Sequence, residues 1–196
     1  QLNQQELEVQ QVMRVNREEG VYPSYYPCTD FMRSAGILED VQNLISRAGL
    51  DDFVDGEPCQ YAKLTMSVVQ DFKFNWSQSN PMVQYKINNK TVNLPFDDFC
   101  TAIRVSQWGS CEKIRGSPRE LLSLFEMICH GRSFSEDGGK ITSIQLPAIR
   151  YFAYFITKCV LARKNGSKLS IQDLAFLAAA LQGSKTYNLG ALIAYR

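Results

Sequence analysis

Apolar side chains recur at helical spacing along most of the chain, which predicts a mainly helical fold. The clearest case is residues 37–48, where Ile37, Val41 and Leu44 fall on one helix face and Gly49 supplies a stop. The same reasoning predicts helices within residues 1–19, 37–48, 61–72, 96–103, 118–131, 147–163 and 170–183.

Local signals mark the ends of two of the later helices. Ser117, Pro118 and Glu120 form a capping-box pattern with proline at the first helical position. Ser170 and Asp173 repeat that pattern further along the chain. A glycine follows each of the two helices, and glycine often ends a helix because it tolerates a left-handed backbone. Both helices are therefore predicted with defined starts and stops.

Residues 82–94 show the one clear strand pattern. Apolar and polar residues alternate from Val83 to Ile87, as in a half-buried strand. Asn88 and Asn89 follow, and asparagine accepts the positive φ of a two-residue hairpin turn. This pattern predicts a single β-hairpin. The segments 49–53, 75–81 and 138–140 are predicted as turns or loops.

The N-terminal part of the chain differs from the rest in its pattern. Residues 1–19 carry only a thin apolar stripe, and two prolines with three tyrosines then predict an extended linker. We therefore predict an N-terminal helical arm and Tyr/Pro linker over residues 1–27, followed by a single helical domain with one small β-hairpin over residues 28–196. The partner-binding candidates in the arm and linker are Leu2, Val9, Met13, Tyr22, Tyr25 and Tyr26.

The composition is that of a globular protein without a membrane span. Of the 196 residues, 45% are apolar and 21% are charged. No apolar run reaches the roughly 18 residues that a membrane helix needs. We expect an intracellular protein, nuclear or cytoplasmic, with no membrane partner. Because the chain does not begin with Met, we also expect it to be a fragment of a longer protein.

Charge is divided unevenly between the two halves of the chain. Residues 1–98 hold 8 Lys or Arg and 14 Asp or Glu, a net charge of −6, whereas residues 99–196 hold 13 and 6, a net charge of +7. This asymmetry favours head-to-tail contact between copies or nucleic-acid binding by the basic half, unless the charges intermix on the folded surface. The nucleic-acid candidates are Lys113, Arg115, Arg119, Arg163 and Lys164. Tyr151, Tyr154 and Tyr187 are placed for either base stacking or helix packing.

The sequence offers little for catalysis or metal binding. The only histidine, His130, directly follows Cys129, and adjacent side chains on a helix point about 100° apart, which makes a poor catalytic dyad. The six cysteines include no CxxC pair and are predicted to be buried, reduced thiols. We therefore predict no enzyme activity, no metal and no cofactor.

Four runs of sequence resemble one protein family. They are RSAGILEDVQNLISRAGLDDF, CQYAKLTMSVVQDFKF, VQYKINNKTVNLPFDDFCTAIRV and LPAIRYFAYFITKCVLARKNGSKLSIQDLAFLAAAL. Together they resemble the first-reading-frame proteins of plant gypsy-class retrotransposons of the Athila type, over roughly residues 33–190. The resemblance implies a protein in the Gag position of such an element, which assembles or packages rather than catalyses. It implies no catalytic residues.

Two functions follow as hypotheses from these observations. The first is a non-enzymatic, retrotransposon-derived domain for protein–protein interaction, including self-assembly into homo-oligomers through the arm and linker. The alternative is a nucleic-acid-binding domain that uses the basic half of the chain. The two hypotheses differ in the residues they need, because the first depends on the arm and linker and the second needs clustered cations.

Overall fold

The helices account for most of the regular structure. A computed structural model describes residues 27–55, 67–75, 80–105, 118–131, 134–135, 138–161, 163, 166–183 and 188–194. The α-helices are α1 (Thr29–Ser34), α2 (Leu38–Arg47), α3 (Asp51–Val54), α4 (Phe96–Ala102), α5 (Pro118–Ile128), α6 (Pro147–Phe155), α7 (Ile171–Gln182) and α8 (Leu189–Ala194). A further helical turn lies at 67–70, a 3₁₀ turn at Ile141–Ser143, and a π-helical segment at Ile156–Val160 that continues α6.

Short strands in the described part of the chain form two small antiparallel sheets. The larger sheet contains β1 (Lys73–Asn75), β2 (Met82–Ile87) and β3 (Lys90–Pro95), with β2 in the middle. The smaller one pairs β4 (Gly139–Lys140) with β5 (Lys168–Leu169). Asn88 and Asn89, with φ of 50° and 61°, make the two-residue turn between β2 and β3.

The apolar core lies among the longer helices. Helix α2 packs against α6 and α7, and α5 packs against α7. Val41, Phe152 and Leu177 come from three of these helices and are fully buried. Helix α7 is buried on nearly all sides, as expected for the central helix of the group. None of the described helices is long and apolar enough to cross a membrane.

The three-stranded sheet is attached to this core through α4. Val83 of β2 and Phe96 at the start of α4 belong to the same buried apolar cluster as the helices. The ring centroids of Phe74 and Phe96 are 5.3 Å apart, so β1 is held by an aromatic contact. Helix α8 packs on α4, where a methyl group at Gly190 would overlap the sulfur of Cys100.

Several predicted elements are confirmed. Helices α2, α4, α5 and α7 fall within residues 37–48, 96–103, 118–131 and 170–183, and β2 with β3 forms the hairpin predicted for 82–94. Ser170 and Asp173 form the predicted capping box, and Gly183 ends α7 with φ of 71°. Ser117 and residues 61–66 lie outside the described residues, as do residues 1–26, which hold almost all of the predicted arm and linker.

The strand and turn predictions need correction in three places. Residues 73–75 form β1 and pair with β2, so the hairpin is part of a three-stranded sheet. Residues 51–53 of one predicted turn belong to helix α3 (Asp51–Val54), and 139–140 of the predicted turn at 138–140 form β4. Such short strands depend on partners elsewhere in the chain, which a local pattern does not reveal.

The helix predicted for 147–163 changes geometry and ends early. It is α-helical to Phe155 and π-helical to Val160. The hydroxyl of Thr157 lies 3.0 Å from the carbonyl oxygen of Ala153 and 3.2 Å from that of Gly166, so this side chain bonds to backbone where the helix widens. Helices α1 and α8, each of six residues, were not predicted.

Candidate functional site

An apolar cavity of about 450 Å³ opens between the start of α1 and the outer face of α6. The cavity is called the aromatic pocket below. Aromatic and apolar side chains dominate its lining, with a lysine as the charged member. The lining residues are Pro27, Cys28, Phe31, Tyr151, Tyr154, Phe155 and Lys158. A largely apolar cavity of this size, with few polar groups, is typical of a binding site.

One hydrogen bond and one ring contact hold the two walls of the aromatic pocket together. The backbone N–H of Cys28 donates to the phenol oxygen of Tyr151 at 3.0 Å. The rings of Phe31 and Tyr151 stack with centroids 5.7 Å apart and planes 21° apart. Met32, which follows Phe31, is buried in the core and anchors α1. The walls are therefore fixed by contacts between residues far apart in the sequence.

The base of the aromatic pocket is part of the packed core. Phe155 is buried, and its ring centroid lies 6.2 Å from that of Phe152 and 6.4 Å from that of Phe53. Packed aromatic rings of this kind resist displacement, because moving one ring opens space beside the others. The pocket therefore has a rigid floor and a preformed shape.

The π-helical segment forms the polar edge of the pocket. Lys158 belongs to this segment, and its carbon chain packs against the backbone of Gly166. A Cβ at Gly166 would lie only 2.6 Å from Cε of Lys158, so the absence of a side chain there makes room for the lysine. π-Helical turns occur frequently at functional sites. Here the wider turn carries Lys158, which lines the aromatic pocket.

Phe31 gives the aromatic pocket an exposed apolar rim. Its side chain is 53% exposed although it borders an apolar cavity. Val69 and Met127 are also exposed, but neither lines this pocket. Single exposed apolar residues are common, whereas an exposed ring next to an apolar cavity marks a surface suited to a partner.

Of the charged candidates for nucleic-acid binding, the structure describes Arg119 and Arg163, and they differ in exposure and in partners. Arg119 is exposed in the first turn of α5. Arg163 forms an ion pair with Asp173, with Nη1 to Oδ2 at 2.7 Å, and its Nη2 donates to the hydroxyl of Ser170 at 2.9 Å. Asp173 is fully buried, so Arg163 is tied to the start of α7. Lys113, Arg115 and Lys164 lie outside the described residues.

The partner-binding candidates also lie outside the described residues, whereas Pro27, which follows them in the sequence, is described. Leu2, Val9, Met13, Tyr22, Tyr25 and Tyr26 precede Pro27, the first described residue, which lines the aromatic pocket. Sequence reasoning missed the pocket itself. The available signal was the pair Tyr151 and Tyr154 on the outer face of a helix, which had been assigned to base stacking or helix packing.

The described residues show no arrangement suited to a metal ion. None of their His, Cys, Asp and Glu side chains form a group of three or more that could hold one. His130 is exposed, two residues after the end of α5. Of the described cysteines, Cys100 and Cys129 are buried as predicted, whereas Cys28 is exposed and Cys159 is half-buried. The aromatic pocket itself is lined by aromatic rings and by Lys158.

Comparison with protein-family models gives a match over nearly the whole chain. The model of the ATHILA ORF-1 family matches residues 2–188, which is nearly the whole chain. No curated protein and no solved structure matches it. The family match covers the aromatic pocket and also the residues before Pro27.

Proposed function

We propose that this chain, which belongs to the ATHILA ORF-1 family, acts by binding other copies of itself rather than by catalysis. The family identifies a Gag-like retrotransposon protein. A protein in that position of an element serves in assembly or packaging, which requires contacts between copies. The proposed role is therefore self-association of a helical, retrotransposon-derived domain, inside the nucleus or cytoplasm.

The observation that carries this proposal is the aromatic pocket with its exposed rim. Phe31 stays 53% exposed beside a cavity walled by Tyr151 and Tyr154. Exposing such an apolar surface to water is unfavourable, so burying it against a partner contributes favourable free energy to binding. Aromatic side chains are enriched at protein–protein interfaces for this reason. Of the two described nucleic-acid candidates, Arg163 is engaged with buried Asp173, whereas Arg119 is exposed.

The proposal is tested by light-scattering mass after size exclusion, over a series of protein concentrations. The wild-type mass should rise with concentration. Phe31→Asp places a charge on the rim, and we expect it to weaken association at least tenfold, or about 1.4 kcal/mol. The matched control is Met127→Asp, because Met127 is 67% exposed on α5 but does not line the pocket.

The control variant distinguishes an effect of the pocket rim on association from an effect of net charge. Met127→Asp should associate as the wild type does. A wild-type protein that keeps the monomer mass throughout the series would contradict self-association. An equal loss of association in both variants would show that net charge, and not the aromatic pocket, governs the contact.

A further inference from the structure

We infer that the outer edge of β3 pairs with the same edge of a second copy, antiparallel and about a two-fold axis at Val92. The pairing joins the three-stranded sheets of two copies into one continuous sheet. This edge is a different surface from the lining of the aromatic pocket, so it gives the proposed self-association a second, separately testable contact.

The backbone of β3 directs alternate residues towards β2 and away from it. The two-residue turn makes Ile87 and Lys90, which flank it, a hydrogen-bonded pair between the strands. At the other end, the N–H of Phe96 donates to the carbonyl oxygen of the residue before β2 at 3.0 Å. Both contacts place the even-numbered positions of β3 towards β2. The N–H and C=O groups of Thr91 and Asn93 therefore point outward from the sheet.

These outward groups are open to a partner. Strand β3 is at the edge of its sheet, and both Thr91 and Asn93 are exposed. No backbone group in the described part of the chain bonds to their outward N–H or C=O. The side chain of Asn93 is engaged within the sheet, because its Oδ1 accepts a hydrogen bond from Nε2 of Gln84 at 2.9 Å. Unpaired backbone groups on a strand edge are a template for pairing with another chain.

Proline and the turn select the register of this pairing. With the axis at Val92, Thr91 of each copy faces Asn93 of the other, and the outward N–H and C=O groups of both are paired. An axis at Asn93 would set Thr91 against Pro95, which has no N–H, and would leave the Thr91 carbonyl oxygen without a donor. An axis at Thr91 would set Asn93 against Asn89, whose φ of 61° belongs to the turn. The axis at Val92 therefore satisfies the most backbone groups.

Charge complementarity favours a second copy as the occupant. Lys90 at the start of β3 is exposed, and so are Asp97 and Asp98, which follow the end of β3. The ion pairs found within the described residues involve none of these three. In an antiparallel pair the start of each strand lies beside the end of the other, so the basic and acidic ends of two copies approach each other twice. Parallel pairing would instead bring the two lysines together.

Amide hydrogen exchange of the outward residues reports the pairing directly. The full chain carrying Phe31→Asp is used, because this substitution suppresses contact through the aromatic pocket. We expect exchange at the Thr91 and Asn93 amides to slow about fivefold at a total concentration roughly ten times the dissociation constant, because only about one fifth of the chains are then monomeric. The Val92 amide, which faces β2, should already be slow in the monomer. Exchange at Thr91 and Asn93 that is equally fast, or equally slow, at every concentration would overturn the inference.

A matched pair of substitutions at Asn93 tests the N–H itself. Asn93→Pro removes the outward N–H and no bond to β2, and an edge strand tolerates proline where the N–H faces away from the sheet. Asn93→Ala keeps the N–H, and both variants lose the side-chain bond to Gln84. In the Phe31→Asp chain we expect Asn93→Pro to weaken association at least about tenfold and Asn93→Ala less than about threefold, because the two-fold axis uses each N–H twice. Equal effects of the two substitutions would overturn the inference.

A cysteine in β3 tests the register and does not depend on the proline variant folding. With the axis at Val92, the two Val92 Cα atoms face each other about 4.5 Å apart, which a disulfide can span. Val92→Cys should therefore give a disulfide-linked dimer on mild oxidation, identified by mass spectrometry of the linked peptide. Thr91→Cys is the matched control, because the two Thr91 residues are diagonal neighbours about 7–8 Å apart, beyond disulfide reach. A dimer linked through position 91 and not through 92 would overturn the inference.

Comparison with the wild type separates this inference from the proposed function. If Phe31→Asp weakens association while the Thr91 and Asn93 amides are never protected, the pocket contact stands and the β3 pairing fails. If those amides are protected at high concentration and Phe31→Asp leaves association unchanged, the β3 pairing stands and the pocket contact fails. A wild-type protein that stays monomeric at all concentrations excludes both.

Discussion

The phenol oxygen of Tyr151 accepts a hydrogen bond from the backbone N–H of Cys28 at 3.0 Å, although the two residues are 123 positions apart. This bond ties the residue just before α1 to the outer face of α6. The same tyrosine ring stacks on Phe31, so one side chain positions both walls of the aromatic pocket. Tyr151 therefore makes the described contacts that join the two walls of the pocket.

Removing the hydroxyl of Tyr151 should loosen α1 without creating a cavity. We expect Tyr151→Phe to lower the free energy of unfolding by about 0.5–1 kcal/mol, the net value of one partly solvated hydrogen bond. Urea unfolding followed by circular dichroism measures this change. Tyr154→Phe is the control, because Tyr154 lines the same pocket, and we expect a change below about 0.3 kcal/mol. Equal losses in the two variants would contradict a specific role for the bond.

The ion pair between Arg163 and Asp173 should be important for the stability of α7. Asp173 is fully buried, pairs with Arg163 at 2.7 Å and completes the capping box with Ser170. We expect Asp173→Ala to cost about 3–5 kcal/mol, because it leaves a largely buried guanidinium without its counter-charge. Asp97→Ala, at the exposed start of α4, should cost only about 0.5 kcal/mol. A loss below about 1 kcal/mol for Asp173→Ala in the same urea titration would contradict this assignment.

The contact between α8 and α4 should show strong coupling between Gly190 and Cys100. A methyl group at Gly190 would overlap the sulfur of Cys100, so we expect Gly190→Ala to destabilise the protein by about 1–3 kcal/mol. Cys100→Ala removes the sulfur and makes room for that methyl group. The double variant should therefore be more stable than the sum of the two changes predicts, by about 1 kcal/mol or more. Strict additivity of the unfolding free energies would argue against this close packing.

Salt should distinguish an apolar interface from an electrostatic one. Head-to-tail attraction between the acidic and basic halves would weaken as the Debye length falls from about 10 Å at 0.1 M salt to about 3 Å at 1 M. Burial of the apolar rim of the aromatic pocket is not screened in this way. We therefore expect the apparent dissociation constant of self-association, from light scattering, to change less than about threefold across that range. A loss of association with added salt would favour the charge asymmetry.

Local patterns were sufficient to predict the elements whose signals are local. The hairpin at 82–94 and the capping box at Ser170 depend on residues adjacent in sequence, and both are confirmed. Helix α2 was predicted because its apolar face repeats every three or four residues. These elements would be recognisable in any protein, because their geometry is decided within about a dozen residues.

The parts that were missed depend on partners distant in sequence. The third strand β1 exists because β2 supplies its hydrogen bonds, and the short helix α1 is anchored by Met32 in the core. The π-helical segment widens where the Thr157 hydroxyl bonds to a backbone carbonyl oxygen. The spacing of apolar residues along the chain does not predict this. The aromatic pocket was missed for the same reason, because its walls come from residues 27–31 and 151–158, which meet only in the folded chain.

Because the two walls are far apart in the sequence, the ribosome synthesises them at different times. Phe31 leaves the ribosome long before Lys158 is added to the chain, and both line the same cavity. At roughly 5–20 residues per second, the pocket lacks one wall for about 6–25 s after the other has been made. The complete pocket therefore exists only once α6 and its π-helical continuation have been synthesised.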